Sequence, residues 1–202
     1  MSLAGWSALI LAGGAGQRFA GEGGGGKLLA DLAGAPVIRR VAERVLGVGF
    51  AEVISVTGAA DAPIRRALAG LDLSVSHAPA WSEGMAATLR SGIAALAPEA
   101  EGVCVFLGDM PLVPVELCPQ LAEGVRRAGY AARPRVAGTP GHPVAFTRAA
   151  FADLLALQGD RGANALLAGR SDVAYLDTAD RGALLDIDTP ADLAAAARAW
   201  KA

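Results

Sequence analysis

Residues 102–107 read GVCVFL, and GDMP follows at 108–111. An apolar run of this length, rich in β-branched and aromatic side chains and bounded by glycine, predicts a central parallel strand covered on both faces. Asp109 directly follows that run. Its carboxylate is therefore expected at the carboxyl end of the strand, the side on which open α/β sheets bind ligands. Pro111 and Pro114 end the strand and stiffen the turn.

Working outward, strand-like runs alternate with amphipathic, alanine-rich stretches, the pattern of an α/β protein with a mainly parallel sheet. Upstream, Trp6–Ala12 reads as a first strand cut off by Gly13 and Gly14. A helix follows over 36–46, opened by a first-turn proline and stopped by Gly47. Strands over 52–57 and 73–76 flank a short helix over 61–69, and 84–96 is helical up to Pro98. Downstream, the pattern predicts a helix over 114–128, a strand over 131–137, a turn at 139–141 and a strand over 144–146. A helix over 147–157 capped by Thr147 comes next, then strands over 173–176 and 184–187. Thr189-Pro190-Ala191-Asp192 opens the last helix with a threonine cap and an acid at the third helical position. No repeat or linker divides the chain, so 1–202 is expected to be one domain.

Composition narrows the function. The 202 residues are 53% hydrophobic, enough for a sizeable core, and a net charge of −2 argues against nucleic acid as a partner. No apolar run approaches the ~18–20 residues of a membrane span, and nothing resembles a signal peptide, so a cytoplasmic protein without membrane contact is expected. Cys104 and Cys118 are too few for a disulfide framework or a zinc site.

Glycine accounts for 26 residues, many of them between Gly13 and Gly26, and the only lysines are Lys27 and Lys201. Gly13, Gly14 and Gly16 would let backbone amides approach an anion without a Cβ in the way. Arg18 and Lys27 add a planar fork and a point charge, the two common ways of holding phosphate. The loop is not a dinucleotide fingerprint: Phe19 stands at the third glycine position, and Thr57-Gly58 replaces a ribose-binding acid. It is not a Walker loop either, because Leu28 follows Lys27. Asp109 reads either as a cap for the helix near Pro114 or as a ligand for Mg²⁺, which is usually held by one or two carboxylates plus substrate phosphates. Asp186 and Asp188 lie where a second carboxylate could come from, although Asp188 also precedes the cap threonine. His142 reads as a turn histidine satisfied by backbone, and His77 has no functional reading.

The ordered set LAGGAGQRF (11–19) with downstream Lys27, WSEGM (81–85), GDMP (108–111), GTPGHPVAF (138–146), GDRGA (159–163) and DIDTPADL (186–193) resembles the molybdenum cofactor nucleotidyltransferases. It is most similar to the branch that attaches cytidine monophosphate to molybdopterin. The resemblance implies a Rossmann-like three-layer α/β/α fold whose N-terminal loop wraps a triphosphate. It implies nucleotide contacts from Leu11, Ala12, Gly13, Gly14, Gly16, Arg18, Lys27, Gly84 and Asp109, with Arg18, Lys27 and Asp109 carrying catalysis. It also implies Mg²⁺ on Asp109 with Asp186 or Asp188, and a second-substrate side at Gly141, His142 and Pro143. CTP or GTP and molybdopterin are the implied substrates, with transient contact to a molybdoenzyme or its chaperone. The chain departs from the family in its glycine-filled gap before Lys27, in Ala78 where Asn is common, and in Asn164 where Arg is frequent. Its Gly13-Gly14 pair leans toward the guanylyl branch.

Overall fold

The computed structural model describes residues 2–14, 19, 26–159 and 162–200. The chain order is β1 (Trp6–Ala12), β2 (Asp31–Leu32), β3 (Ala35–Pro36), α1 (Val37–Leu46), β4 (Glu52–Thr57), α2 (Asp61–Leu68), β5 (Ser74–His77), α3 (Met85–Ala94) and β6 (Gly102–Leu107). It continues with α4 (Cys118–Ala128), β7 (Ala131–Val136), β8 (Thr139–Pro140), β9 (Val144–Thr147), α5 (Phe151–Leu155), α6 (Asn164–Leu167), β10 (Val173–Asp177) and α7 (Pro190–Ala199). The main sheet runs β10-β7-β9-β6-β1-β4-β5, with β8 paired to β7, and β2 and β3 form a separate small hairpin.

Two-residue periodicity divides the core between the faces of this sheet. Ala8 and Ile10 of β1 and Cys104 and Phe106 of β6 pack with Ile38, Val41, Ile64 and Leu121, so α1, α2 and α4 cover that side. Leu9, Leu11, Val103 and Val105 pack with Leu89, Ile93, Leu154 and Leu167 on the other side, under α3, α5 and α6. Helices therefore lie on both sides of a mixed, mostly parallel sheet. In α1 the buried residues Val37, Ile38, Val41, Ala42 and Val45 form one stripe, as a helix lying on a sheet requires. None of the helices among the described residues is long and apolar enough to cross a membrane.

Several expectations need correction. The strand 102–107 is central and buried, but only its β1 neighbour is parallel, and β9 runs antiparallel to it. The seven residues 137–143 between β7 and β9 are too short for a parallel crossover, so the chain reverses there. Residues 147–157 are not one capped helix. A 3₁₀ turn, Arg148–Ala150, leads into α5, and the Thr147 hydroxyl donates to the Gly129 carbonyl instead of capping. Residues 184–187 form no strand; a 3₁₀ turn occupies Arg181–Leu184, and the chain then crosses toward the end of β6. The last helix opens as expected: the Thr189 hydroxyl accepts from the Asp192 amide, and the Asp192 carboxylate accepts from the Thr189 amide.

Gly13, just past β1, is buried where a Cβ would run into the Thr88 side chain of α3, whereas Gly14 is exposed with open space around it. Gly13→Ala is expected to lower unfolding stability by about 1–3 kcal/mol through overpacking, and Gly14→Ala to stay within about 0.5 kcal/mol of the parent. Denaturant unfolding of the two variants checks this. Equal stabilities would show that the Gly13–Thr88 packing does not matter.

Candidate functional site

The site sits at the carboxyl ends of β1 and β6. These strands pair in parallel up to Leu11 and Leu107, and the Gly108 amide extends the ladder by donating to the Leu11 carbonyl at 2.9 Å. Gly108 is needed there, because a Cβ would lie 2.9 Å from Ile38 Cδ1 and 3.0 Å from that same carbonyl oxygen. The chain then turns tightly, with the Met110 amide donating to the Leu107 carbonyl at 3.2 Å and the Met110 side chain buried. Asp109 is left at the rim of the sheet. It does not cap α4, whose start carries no side-chain cap.

Lys27 approaches from the other side. It opens a 3₁₀ turn, Lys27–Leu29, that is anchored by the buried Leu28. Its Nζ lies 2.6 Å from Asp109 Oδ2 and 2.6 Å from Asp188 Oδ1. Burial by itself would lower the Lys27 pKa. The charge of Asp109 and hydrogen bonds to Asp109 and Asp188 outweigh it, so the ammonium is held above its ordinary pKa.

Asp188 is delivered by its neighbour. The Ile187 amide donates to the Asp109 carbonyl at 2.9 Å, and its side chain is fully buried with Leu32, Val37 and Ala196. The capping box of α7 fixes the next residues, with the Asp188 amide donating to Asp192 Oδ2 at 3.2 Å. Asp186 lies on the exposed side of Ile187 and forms no ion pair among the described residues. Partial burial, then the charges of Asp188 and Asp109, raise its pKa. Of the two late acids, Asp188 is thus the one brought to Asp109.

The arrangement suits a divalent cation. Two carboxylate oxygens lie within 2.6 Å of one ammonium, close enough together to share a cation. Among the described residues no group of three or more His, Cys, Asp or Glu side chains could hold a metal. Further ligands would have to be water or substrate phosphate, the usual condition for Mg²⁺.

Other expected positions fall as follows. Leu11 and Ala12 are buried in the strand, so only their backbone could face a ligand, and the Leu11 carbonyl is already used by Gly108. Gly13 packs against Thr88 and Gly58, while Gly14 faces open space. Gly84 has φ 110°, a conformation other residues rarely adopt, where the turn Trp81–Glu83 passes into α3. Gly16 and Arg18 lie outside the described residues. Gly141 is buried against Ala183, and the His142–Pro143 peptide is cis. The His142 amide donates to the Ala183 carbonyl at 2.8 Å, which ties this loop to the segment leading to Asp186–Asp188. Backbone satisfies His142 only in part: its amide is bonded to Ala183, but its ring Nδ1 is sealed without a partner. Sequence reasoning missed Ile187, whose signal was the acid-apolar-acid alternation at 186–188.

A sheet rim bearing a lysine between two aspartates is an arrangement that can hold a cation and a phosphate side by side. The sequence matches the MobA-like NTP transferase domain over residues 8–176, and the chain belongs to that family. A comparison with curated proteins finds no significant match. Among solved structures, Rv0371c from Mycobacterium tuberculosis H37Rv is similar at 29% identity and TM-score 0.82, covering 96% of this chain and 97% of that one. Rv0371c has also been solved in complex with manganese. A nucleotidyl transferase from Methanothermobacter thermautotroptrophicus matches at 25% identity and TM-score 0.82, over 96% of each chain. Molybdopterin-guanine dinucleotide biosynthesis protein A from Archaeoglobus fulgidus shares the fold at 22% identity and TM-score 0.71, over 96% of this chain and 97% of that one. Family membership supports a transferase that takes nucleoside triphosphates.

Burial, then the charge of Arg133, lowers the His142 pKa to about 4. An unfolded histidine takes up its proton near pH 6.5, so between these values the unfolded chain binds more protons and stability falls as the pH drops. The folded protein is expected to lose up to ~1.4 kcal/mol per pH unit from this group in that window. Denaturant unfolding at pH 7.5 and pH 5 should show a smaller pH dependence for His142→Gln than for the parent. Identical slopes would refute a buried neutral imidazole.

Proposed function

We propose that this chain transfers CMP from CTP to the phosphate of molybdopterin and releases pyrophosphate, with a divalent cation, Mg²⁺, as cofactor. The observation that carries the reading is the convergence of Lys27, Asp109 and Asp188 beside the Gly13-Gly14 turn. An acceptor phosphate oxygen forms a bond to the α-phosphorus of CTP. The bond from that phosphorus to the bridging oxygen of the β-phosphate breaks, and its electron pair leaves with pyrophosphate.

A phosphate monoester with a second pKa near ~6 is already mostly ionised at neutral pH, so the step needs no general base. That fits a site whose charged groups among the described residues are an ammonium and carboxylates. What the step needs is alignment and charge neutralisation. Asp109 and Asp188 would hold the metal, which when bound neutralises phosphate charge. Lys27, released from its carboxylates, would place its ammonium on the triphosphate and steady the leaving pyrophosphate. Arg18 is assigned the same task from the sequence. Leu11 and Ala12 would contribute backbone to the nucleotide cradle together with Gly13, Gly14, Gly16 and Gly84. The loop of Gly141, His142 and Pro143 would shape the acceptor side from beneath, and the product would pass to a molybdoenzyme or its chaperone. The Gly13-Gly14 pair supports a second reading in which GTP replaces CTP.

Asp109→Asn is expected to stay folded yet release pyrophosphate ~10²-fold or more slowly than the parent with CTP, Mg²⁺ and molybdopterin. Lys27→Met should lose a similar factor, as expected when one donor to developing charge is removed. Pyrophosphate release with CTP, GTP, UTP and ATP in competition identifies the base. Turnover with GTP alone would replace the cytidylyl reading by the guanylyl one. Parent-like turnover by Asp109→Asn would remove this residue from the mechanism.

A further inference from the structure

Arg133 is the one charged residue in the buried class among the described residues, 6% exposed in the middle of β7. Its Nε donates to the Gly141 carbonyl at 3.1 Å, and Nη1 donates to Asn164 Oδ1 at 2.9 Å. Both acceptors are neutral, and among the described residues no carboxylate forms an ion pair with it. The remaining terminal nitrogen, Nη2, makes no hydrogen bond among the described residues.

Burying a guanidinium without a counter-charge is costly unless something else compensates it. Burial indeed holds the Arg133 pKa below its ordinary value. The neighbours are suited to an anion. Tyr175 of β10 is directly opposite Arg133 in the parallel register, and it is exposed. Gly141 and Asn164 belong to the GHP loop and to α6, so the guanidinium joins the two segments and holds them in place.

We propose that Arg133 forms an oxyanion-binding subsite with Asn164 and Tyr175, which takes a phosphate or carboxylate group of the acceptor. This rests on the reading of the Gly141–Pro143 loop as the acceptor side. Arg133 is a specificity residue here, and its planar fork is what a point charge cannot reproduce.

The probe is inorganic phosphate, titrated by calorimetry into full-length protein whose triphosphate site is filled with a non-hydrolysable CTP analogue and Mg²⁺. The parent is expected to bind phosphate, and Arg133→Gln to bind it roughly tenfold to hundredfold more weakly. Arg133→Lys, which keeps the charge, should bind between the two. Restoring a guanidinium from the neighbouring position, in the double variant R133Q/N164R, should recover most of the affinity. In turnover, Arg133→Lys should raise the acceptor KM while leaving the CTP KM near its parent value. Equal phosphate affinity in the parent and the Arg133 variants, or no phosphate binding by the parent, would overturn the proposal. A purely structural tether would lower Tm in the variants without changing phosphate affinity, and that result also overturns it. If the parent fails to bind the CTP analogue, the transferase reading fails. The difference in phosphate binding between parent and Arg133→Lys then still decides the role of Arg133.

Discussion

One ammonium shared by two carboxylates organises this molecule. Lys27, Asp109 and Asp188 come from sequence positions far apart, and each belongs to a different structural unit: the turn after the glycine-rich loop, the end of β6 and the lead-in to α7. Two carboxylates side by side repel, and the ammonium between them offsets that repulsion. On the proposed function, the acids would hold a metal and the lysine a phosphate.

The fold secures this cluster by burying apolar residues next to each charged one. Leu28 anchors the turn that carries Lys27, Met110 follows Asp109 into the core, and Ile187 is sealed immediately before Asp188. Each polar side chain is thus positioned by packing at its flank as well as by the ion pairs at its charged end. The backbone bond from Ile187 to the Asp109 carbonyl ties two of these units together directly. Glycines at 13 and 108 let strands, α3 and α1 approach the same rim closely.

Much of this was legible in the sequence. Trp6–Ala12, Glu52–Thr57 and the run 102–107 are mostly apolar or β-branched, the composition of buried strands, and were read as such. The threonine cap of α7 is a local interaction four residues long, so it too could be read directly. Asp109 and Lys27 stood out because one ends a buried strand and the other is nearly the only lysine. The segment 184–187 misled because Leu184 and Ile187 have the composition of a strand, while the Ile187 amide is spent on the Asp109 carbonyl across the rim rather than on a neighbouring strand. The reversal at β9 is set by the length of the preceding loop, and composition says nothing about it. Arg133 was invisible because an arginine within a strand ordinarily points to solvent, and only the tertiary structure shows it buried.

The account turns on the two carboxylates acting as one cation site that a nucleotide completes. Titration of Mn²⁺ by electron paramagnetic resonance, with and without CTP, measures this on the parent, Asp109→Asn and Asp188→Asn. The account predicts that CTP tightens Mn²⁺ binding by the parent and that either substitution largely abolishes this effect. Mn²⁺ affinity that is the same in all three proteins, or that ignores the nucleotide, would contradict it.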